Sequence, residues 1–593
     1  MTVHASLSAD GNKIVLSAGY ADRERIKRVP GARWKAQESV WQVPATLSSC
    51  VILQAEFTED LVADDSVTGM ARDAVRQRAA ARALADNPLG TDHAPAHDYD
   101  DRLYPYQRLG ADWLRLVGSG LLADEMGSGK TVQVAVSLPD DGPVLVVAPK
   151  SVLPTWQREL RTWAPHLRVV VATGGVAKQR KAFRAVADGD ADVLVINYEA
   201  LKSHSRLAPY GSIRLKRCDA CGGVPGEVTE ARCEVHKKEA NEIGWVAVVV
   251  DEAHRMKDAK AQQTRAVWAV GQQPTVRHRW ALTGTPIANN AGDLWSVLHF
   301  IDPAQWPSRT AYLDRWLDIA PNPWGGIHIL GLRPDRADEF HFLVDPYMLR
   351  RTKDMTLPHL PPKIRTAREC YLSPRERKAY DEMRDDLIAT LEDGTDLAAM
   401  NPMVQVGRLL QLASSSLKAD SVSGKPVPCD PSAKLDLLDE VLGDLGDEPL
   451  VVWFAHRQLL HLAEDRLRER GAQFVSYHGN MTSAERGLAE ERFQQGRVPL
   501  MLLTIGAGKE GLTLTRASTQ VYVQRTWSLV DDLQSQDRLH RPGQDADHVL
   551  IIDLIAENTV EAQLHDKLAT KALSLEEVVQ DRAALLSLLR DQP

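Results

Sequence analysis

The feature that most constrains this chain is a recurring pattern of short apolar runs, each ended by a turn or a polar residue. VLVVAP (144–149), DVLVIN (192–197), WVAVVVDE (245–252) and RWALTGTP (279–286) follow one another with helical segments between them. Runs this short and this apolar read as strands covered on both faces, as in parallel sheets. Parallel neighbours need a crossover connection, and the intervening helical stretches supply it. A second series begins near residue 449, with PLVVWFA, QFVSYHG, PLMLLTIG, STQVYVQ and HVLIIDLI. The expected fold class is α/β, with two doubly wound parallel-sheet lobes. Residues 370–420 read as strongly helical and interrupt the rhythm.

At roughly 150 residues per domain, a chain of 593 residues holds about three to five domains. With 44% hydrophobic and 25% charged residues, it can build its cores without disulfides. No apolar run approaches about 18 residues, so no membrane span is expected. MTVHASLSADGNK has no basic head followed by an apolar core, and a cytoplasmic protein is expected. The net charge of −9 does not advertise nucleic-acid binding. Phosphate contacts require only a local basic track, so it does not exclude it either.

LLADEMGSGKTVQ (121–133) follows an apolar run and opens a helical segment, the context of a phosphate-binding loop. Gly127 and Gly129 permit the turns and close approach that a Cβ obstructs. Lys130 would reach the β- and γ-phosphates of ATP, and Thr131 would place its hydroxyl on Mg²⁺. Asp124 stands where the common pattern has its first glycine, so a glycine-rich turn before an ordinary helix also fits. About 120 residues on, VVVDEAH sets Asp251 and Glu252 at the end of an apolar strand, the sheet edge where α/β folds bind ligands. Asp251 suits Mg²⁺, and Glu252 suits activation of water. A surface pair of acids at a strand end reads the same in isolation.

These motifs stand in order with LYPYQRLGADWL (103–114), LTGTPIANN (282–290), LRRTKDMTLPHLPPK (349–363), YHGNMTSAERGLAEERFQ, TIGAGKEGLTLTRAS (504–518) and QSQDRLHRPGQ (534–544). Together they resemble the Swi/Snf family of superfamily-two helicase-like ATPases over about residues 100–580. The resemblance implies two RecA-like lobes. In that family the loop typically reads DEMGLGKT, so Asp124 matches and Ser128 is the departure. It implies that Gln107 reads adenine, and that Asp124, Glu125, Met126, Gly127, Ser128, Gly129, Lys130 and Thr131 form the ATP cradle. It implies that His254 and the Thr283-Gly284-Thr285 turn couple nucleotide state to DNA. Gln534, Arg538 and Arg541 would face the nucleotide from the second lobe, the arginines as arginine fingers. Lys150, Gly479 and Thr504 are candidate DNA grips, although each also reads as a turn or helix-start residue. Gln524, Ser528, HRPGQ and TIGAGKEG depart from the family pattern, at positions concerned with DNA more than with ATP.

Cys218, Cys221, Cys233 and His236 have the spacing C-x₂-C-x₁₁-C-x₂-H, which suits structural Zn²⁺, although a free-thiol loop has the same composition. ADRERIKRVPGARWKAQESVWQVP resembles the HARP-type module of annealing helicases. Arg23, Arg25, Lys27, Arg28, Arg33 and Lys35, with Trp34 and Trp41, would give a basic, aromatic surface for branched DNA. Trp41, in an alternating strand, reads better as core. The expected domains are a small α+β DNA-binding module (1–60), a linker (61–100), lobe one (101–300) with a zinc insert (212–240), a helical insertion (301–430), lobe two (431–556) and a C-terminal helical brace (557–593). The expected activity is DNA-stimulated ATP hydrolysis driving movement on double-stranded or branched DNA, including fork remodelling or strand annealing, with replication, repair or transcription proteins as partners. The alternatives are a motor that displaces proteins such as RNA polymerase, and an ATP-binding scaffold that does not hydrolyse.

Overall fold

The structure is a computed structural model. It describes residues 2–90, 92–205, 239–285, 291–321, 327–393, 396–398, 402–508, 511–526 and 528–562. The cysteine–histidine cluster, residues 286–290 of LTGTPIANN, Trp527 and the tail beyond 562 lie outside the described residues. The described chain falls into two units, the first ending at Thr356 and the second beginning at Leu357.

The first unit carries a seven-stranded sheet in the order Met348–Leu349, Ser119–Leu122, His278–Leu282, Ala247–Asp251, Val144–Ala148, Val193–Asn197, Val169–Ala172. Every pairing in it is parallel. Successive side chains of a strand point to opposite faces, and here both faces are covered. Leu145, Val147, Val248 and Val250 join one apolar cluster, while Val144, Val146, Ala247 and Val249 join the other. That two-sided burial is why these strands read as unbroken apolar runs. Each fully buried Val or Leu contributes on the order of 1.5–3 kcal/mol. The strands ending at Leu122, Leu282 and Asp251 are adjacent and parallel, so the three motif-bearing loops leave the same edge of the sheet.

The second unit has a six-stranded sheet in the order Lys363–Cys370, Val549–Ala556, Thr519–Tyr522, Leu450–Phe454, Leu500–Thr504, Phe474–Tyr477, again all parallel. Lys363–Cys370 falls inside the segment expected to be a helical insertion. It is a polar edge strand, exposed along most of its length, so it lacks the apolar signal of its neighbours. Beyond it, helices Pro374–Asp386 and Pro402–Leu412 alternate with the antiparallel strand pairs Ile388–Thr390/Asp396–Ala398 and Ser416–Ala419/Pro426–Cys429, while helices Arg309–Trp316 and Ala337–Val344 and the antiparallel pair Leu317–Pro321/Ile327–Leu332 of the same expected segment fall in the first unit.

The N-terminal module is a five-stranded sheet ordered Arg33–Lys35, Val40–Pro44, Lys13–Ser17, Val3–Leu7, Leu61–Ala63. Its fifth strand lies beyond the boundary expected at residue 60. Helix Asp65–Ala85, capped by the Asp64 carboxylate on Val67 N–H, occupies the expected linker. Val67 packs into the module's core and Ala81 into that of the large sheet, so this helix joins the two. No described helix is long and apolar enough to cross a membrane.

Candidate functional site

The phosphate loop leaves strand Ser119–Leu122 and runs into helix Lys130–Ala135. Gly129 holds φ +78°, and a Cβ there would lie 2.4 Å from Gln107 Nε2. Asp124, the residue in place of glycine, is completely buried. Its carboxylate accepts from Arg351 Nε (2.9 Å) and Nη2 (2.5 Å) and from Gln133 Nε2 (3.1 Å). Arg351 also donates to Gln133 Oε1 (2.9 Å) and to the Tyr106 carbonyl (2.7 Å), and its guanidinium lies over the Tyr106 ring. The Asp124 side chain therefore builds the loop, and only its backbone is turned to Lys130. Lys130 Nζ donates to the carbonyls of Asp124 (2.7 Å) and Glu125 (3.1 Å). Glu125 accepts from Lys353 N–H (2.8 Å), and Arg350 Nη1 binds the carbonyls of Ala123 (2.6 Å) and Gly284 (2.7 Å). The LRRTK segment thus clasps the loop from more than 200 residues away. The sequence marked this segment as a motif but assigned its residues no role.

Met126 and Ser128 are buried. The Ser128 carbonyl accepts from Tyr106 Oη–H (2.8 Å) and Gln107 Nε2 (3.3 Å). Gln107 Oε1 accepts from Tyr104 N–H (3.1 Å), so one end of the amide expected to read adenine caps helix Pro105–Val117 and the other ties that helix to the loop. Thr131 stands in the first turn of the following helix, beside Lys130.

Asp251 ends its strand with both carboxylate oxygens oriented. Trp156 Nε1–H donates to Oδ2 (2.8 Å) and Glu252 N–H to Oδ1 (2.9 Å). Burial, then the Glu252 charge, push the Asp251 carboxyl well above the ordinary carboxylate range. Burial pulls the Lys130 ammonium down, against the opposing charges of Glu252, Asp124 and Asp251. Two neighbouring half-buried carboxylates with oxygen donors suit a hard divalent cation such as Mg²⁺, which relieves their repulsion. Glu252 itself sits at φ 51°, ψ 53°, a left-handed conformation costing about 1–3 kcal/mol for a non-glycine residue.

A polar relay links the two neighbouring strand ends. Glu252 Oε2 lies 3.3 Å from His254 Nδ1, which lies 3.1 Å from Thr283 Oγ1. Thr283 Oγ1 accepts from Thr285 N–H (3.1 Å). Gly284 is required between them, because a Cβ would lie 2.3 Å from Met126 Cγ. The phosphate loop, the acidic pair and the Thr-Gly-Thr turn therefore form one assembly.

In the second unit, Gln534 is buried. Arg538 is 5% exposed and donates to the Gln534 (2.8 Å) and Leu512 (3.2 Å) carbonyls. Arg541 is half-buried, with Nε on the Asp537 carbonyl (2.8 Å) and Nη1 on Thr513 Oγ1 (3.3 Å). The fold therefore separates two arginines that the motif treats alike. Lys150 and Gly479 are exposed and Thr504 is buried. In the N-terminal module, Trp41 is buried while Trp34 is 48% exposed, and Arg25 lies over Phe57. Arg23 and Lys27 pair with Glu24, and Arg28 pairs with Glu56.

The SNF2-related domain profile matches residues 106–417, and the helicase conserved C-terminal domain matches residues 433–543. The chain belongs to the SNF2-related family. It is 28% identical to chromodomain-helicase-DNA-binding protein 7 of Gallus gallus, over 84% of this chain and 16% of that protein. It is 26% identical to the putative ATP-dependent helicase/translocase YwqA of Bacillus subtilis, over 88% of this chain and 54% of that protein. The chain thus spans from about a sixth to about half of the length of these relatives. Among solved structures, the SWI2/SNF2 ATPase core of Sulfolobus solfataricus in complex with dsDNA matches 84% of this chain and 97% of its own. That match has 22% identity and a TM-score of 0.37.

Proposed function

We propose that this chain hydrolyses ATP and uses the cycle to move along double-stranded DNA. The observation that carries the reading is the convergence of Lys130, Asp251, Glu252 and the His254–Thr283 relay on one edge of a parallel sheet. Lys130 exchanges its two carbonyl partners for the β- and γ-phosphates. Mg²⁺, when bound, neutralises phosphate charge, and Thr131 and Asp251 are the residues that would hold it. Glu252 orients the attacking water and takes its proton. Its contact with His254 then passes the loss of the γ-phosphate to the Thr283-Gly284-Thr285 turn. Arg541 is the better arginine finger, since Arg538 is committed to two backbone carbonyls.

The test is ATP turnover with and without duplex DNA, paired with displacement of a third strand from a triplex. Stimulated turnover with displacement is the expected result. Absence of stimulation by any nucleic acid overturns the translocase reading. The same reading assigns Cys218, Cys221, Cys233 and His236 to structural Zn²⁺ and residues 1–64 to recognition of branched DNA. Support for the second comes from exposed Trp34 on an edge strand between Arg33 and Lys35. Deletion to Asp64, which removes the whole five-stranded sheet, should lower the preference for forked over plain duplex DNA; an unchanged preference removes the module from that role.

A further inference from the structure

The second unit holds a histidine–carboxylate cluster that the ATPase cycle does not use. His461 and Glu464 stand three residues apart on one face of helix Arg457–Glu469, and His478 follows strand Phe474–Tyr477. A ligand atom from each lies within 4.8 Å of the other two. His461 Nδ1 is 3.0 Å from Glu464 Oε2, and the His461 and His478 rings meet edge-on with centroids 5.2 Å apart. Glu464 is buried, and the Ser476 hydroxyl binds its Oε1. Nδ1 of His478 is buried without a hydrogen bond.

We propose that His461, Glu464 and His478 form a binding site for a divalent transition-metal ion, Zn²⁺ by its donor set. Two imidazoles and one carboxylate are borderline ligands that Zn²⁺ accepts, with water in the fourth position. Bond lengths of about 2.0–2.2 Å place tetrahedral ligand atoms about 3.3 Å apart. His461 and Glu464 already meet that spacing, and the rest requires a movement of the order of 1.5 Å or less, within reach of a χ rotation of His478. The cation now opposing Glu464 is Arg468, whose Nη2 lies 3.0 Å from Oε2. Arg468 is 56% exposed and also pairs with Asp465 at 2.6 Å, so it can release Glu464 without losing its only carboxylate.

The ion would tie the helix to the turn His478–Thr482, which carries Gly479 and the N-cap of helix Ser483–Gln494. It is distinct from the cysteine cluster, which offers sulfur. Co²⁺ is the probe for the full-length, metal-stripped chain, because thiolate sites give intense charge-transfer absorption and this site does not. His461→Gln and His478→Gln should each lose one bound Co²⁺ by elemental analysis, with the sulfur band unchanged. His456→Gln, a histidine outside the cluster, should bind as the parent does. An unchanged Co²⁺ count in both cluster variants overturns the site. If either variant fails to fold, histidine ¹⁵N shifts of the parent during Zn²⁺ titration decide it. Shifted His461 and His478 resonances support the site, and unmoved ones overturn it.

Discussion

Glu252 is held in a left-handed backbone conformation by the strand before it and the single-turn helix after it, so its carboxylate is aimed at little conformational cost during turnover. Glu252→Gln preserves the shape and hydrogen-bonding length but cannot take a proton. It should bind ATP as the parent does and lose about 10²–10⁴-fold in turnover; nucleotide binding and steady-state phosphate release check both halves. The pair Asp124–Arg351 is completely buried, with both side chains at 0% exposure. Arg351→Ala leaves a buried carboxylate with a single amide partner and should cost about 3–5 kcal/mol in the first unit. Denaturant unfolding followed by tryptophan fluorescence measures it. Arg351→Lys should recover little, because an ammonium cannot make the forked contact with Asp124 together with those to Gln133 and Tyr106.

Helix Pro105–Val117 carries Gln107 on the face toward the phosphate loop and Asp112 on the face toward the segment before it. Asp112 accepts from His93 Nε2 (2.7 Å), His97 Nδ1 (3.0 Å), Tyr99 Oη–H (2.7 Å) and Ala96 N–H (2.9 Å). Burial alone would raise its pKa, but these hydrogen bonds outweigh burial and hold it below the ordinary carboxylate range. A lowered folded-state pKa gives stability that is present above the unfolded value, near 3.9, and is lost as pH falls through the folded value. Residues 92–100 should therefore be strongly protected from amide exchange at neutral pH and lose that protection, relative to the intrinsic rate at each pH, below about pH 4. Asp112→Ala should remove the protection at neutral pH as well; retained protection in that variant would show that other contacts hold the segment. This stretch has a loop-like composition, and nothing local marks four donors converging on one carboxylate.

On the proposed reading, a chain of net charge −9 must concentrate its cations to grip DNA. Turnover stimulated by duplex DNA should fall steeply with added salt, while turnover without DNA should change little, because the many phosphate contacts of a DNA track release counterions and the half-buried ATP site makes few. Equal salt sensitivity with and without DNA would place the charge effect in the ATP site. Arg541→Ala should depress the stimulated rate by about 10³-fold or more if it supplies charge to the γ-phosphate. Arg538→Ala should instead destabilise the second unit, since its guanidinium holds the Leu512 and Gln534 carbonyls.

By itself the sequence determined the α/β class, nearly every interior strand and the positions of the loops that carry chemistry. Burial on both faces of a parallel strand writes itself as an apolar run, and phosphate chemistry demands glycine, lysine and paired acids at fixed local spacing. It left Lys363–Cys370 illegible, because an exposed edge strand has no apolar signature. It also left Leu61–Ala63 outside its sheet, because three residues carry no period. Tertiary structure alone decided what Asp124 is for. Its partner stands 227 residues away, and only the folded chain brings a buried guanidinium to the position where a glycine would otherwise have sufficed.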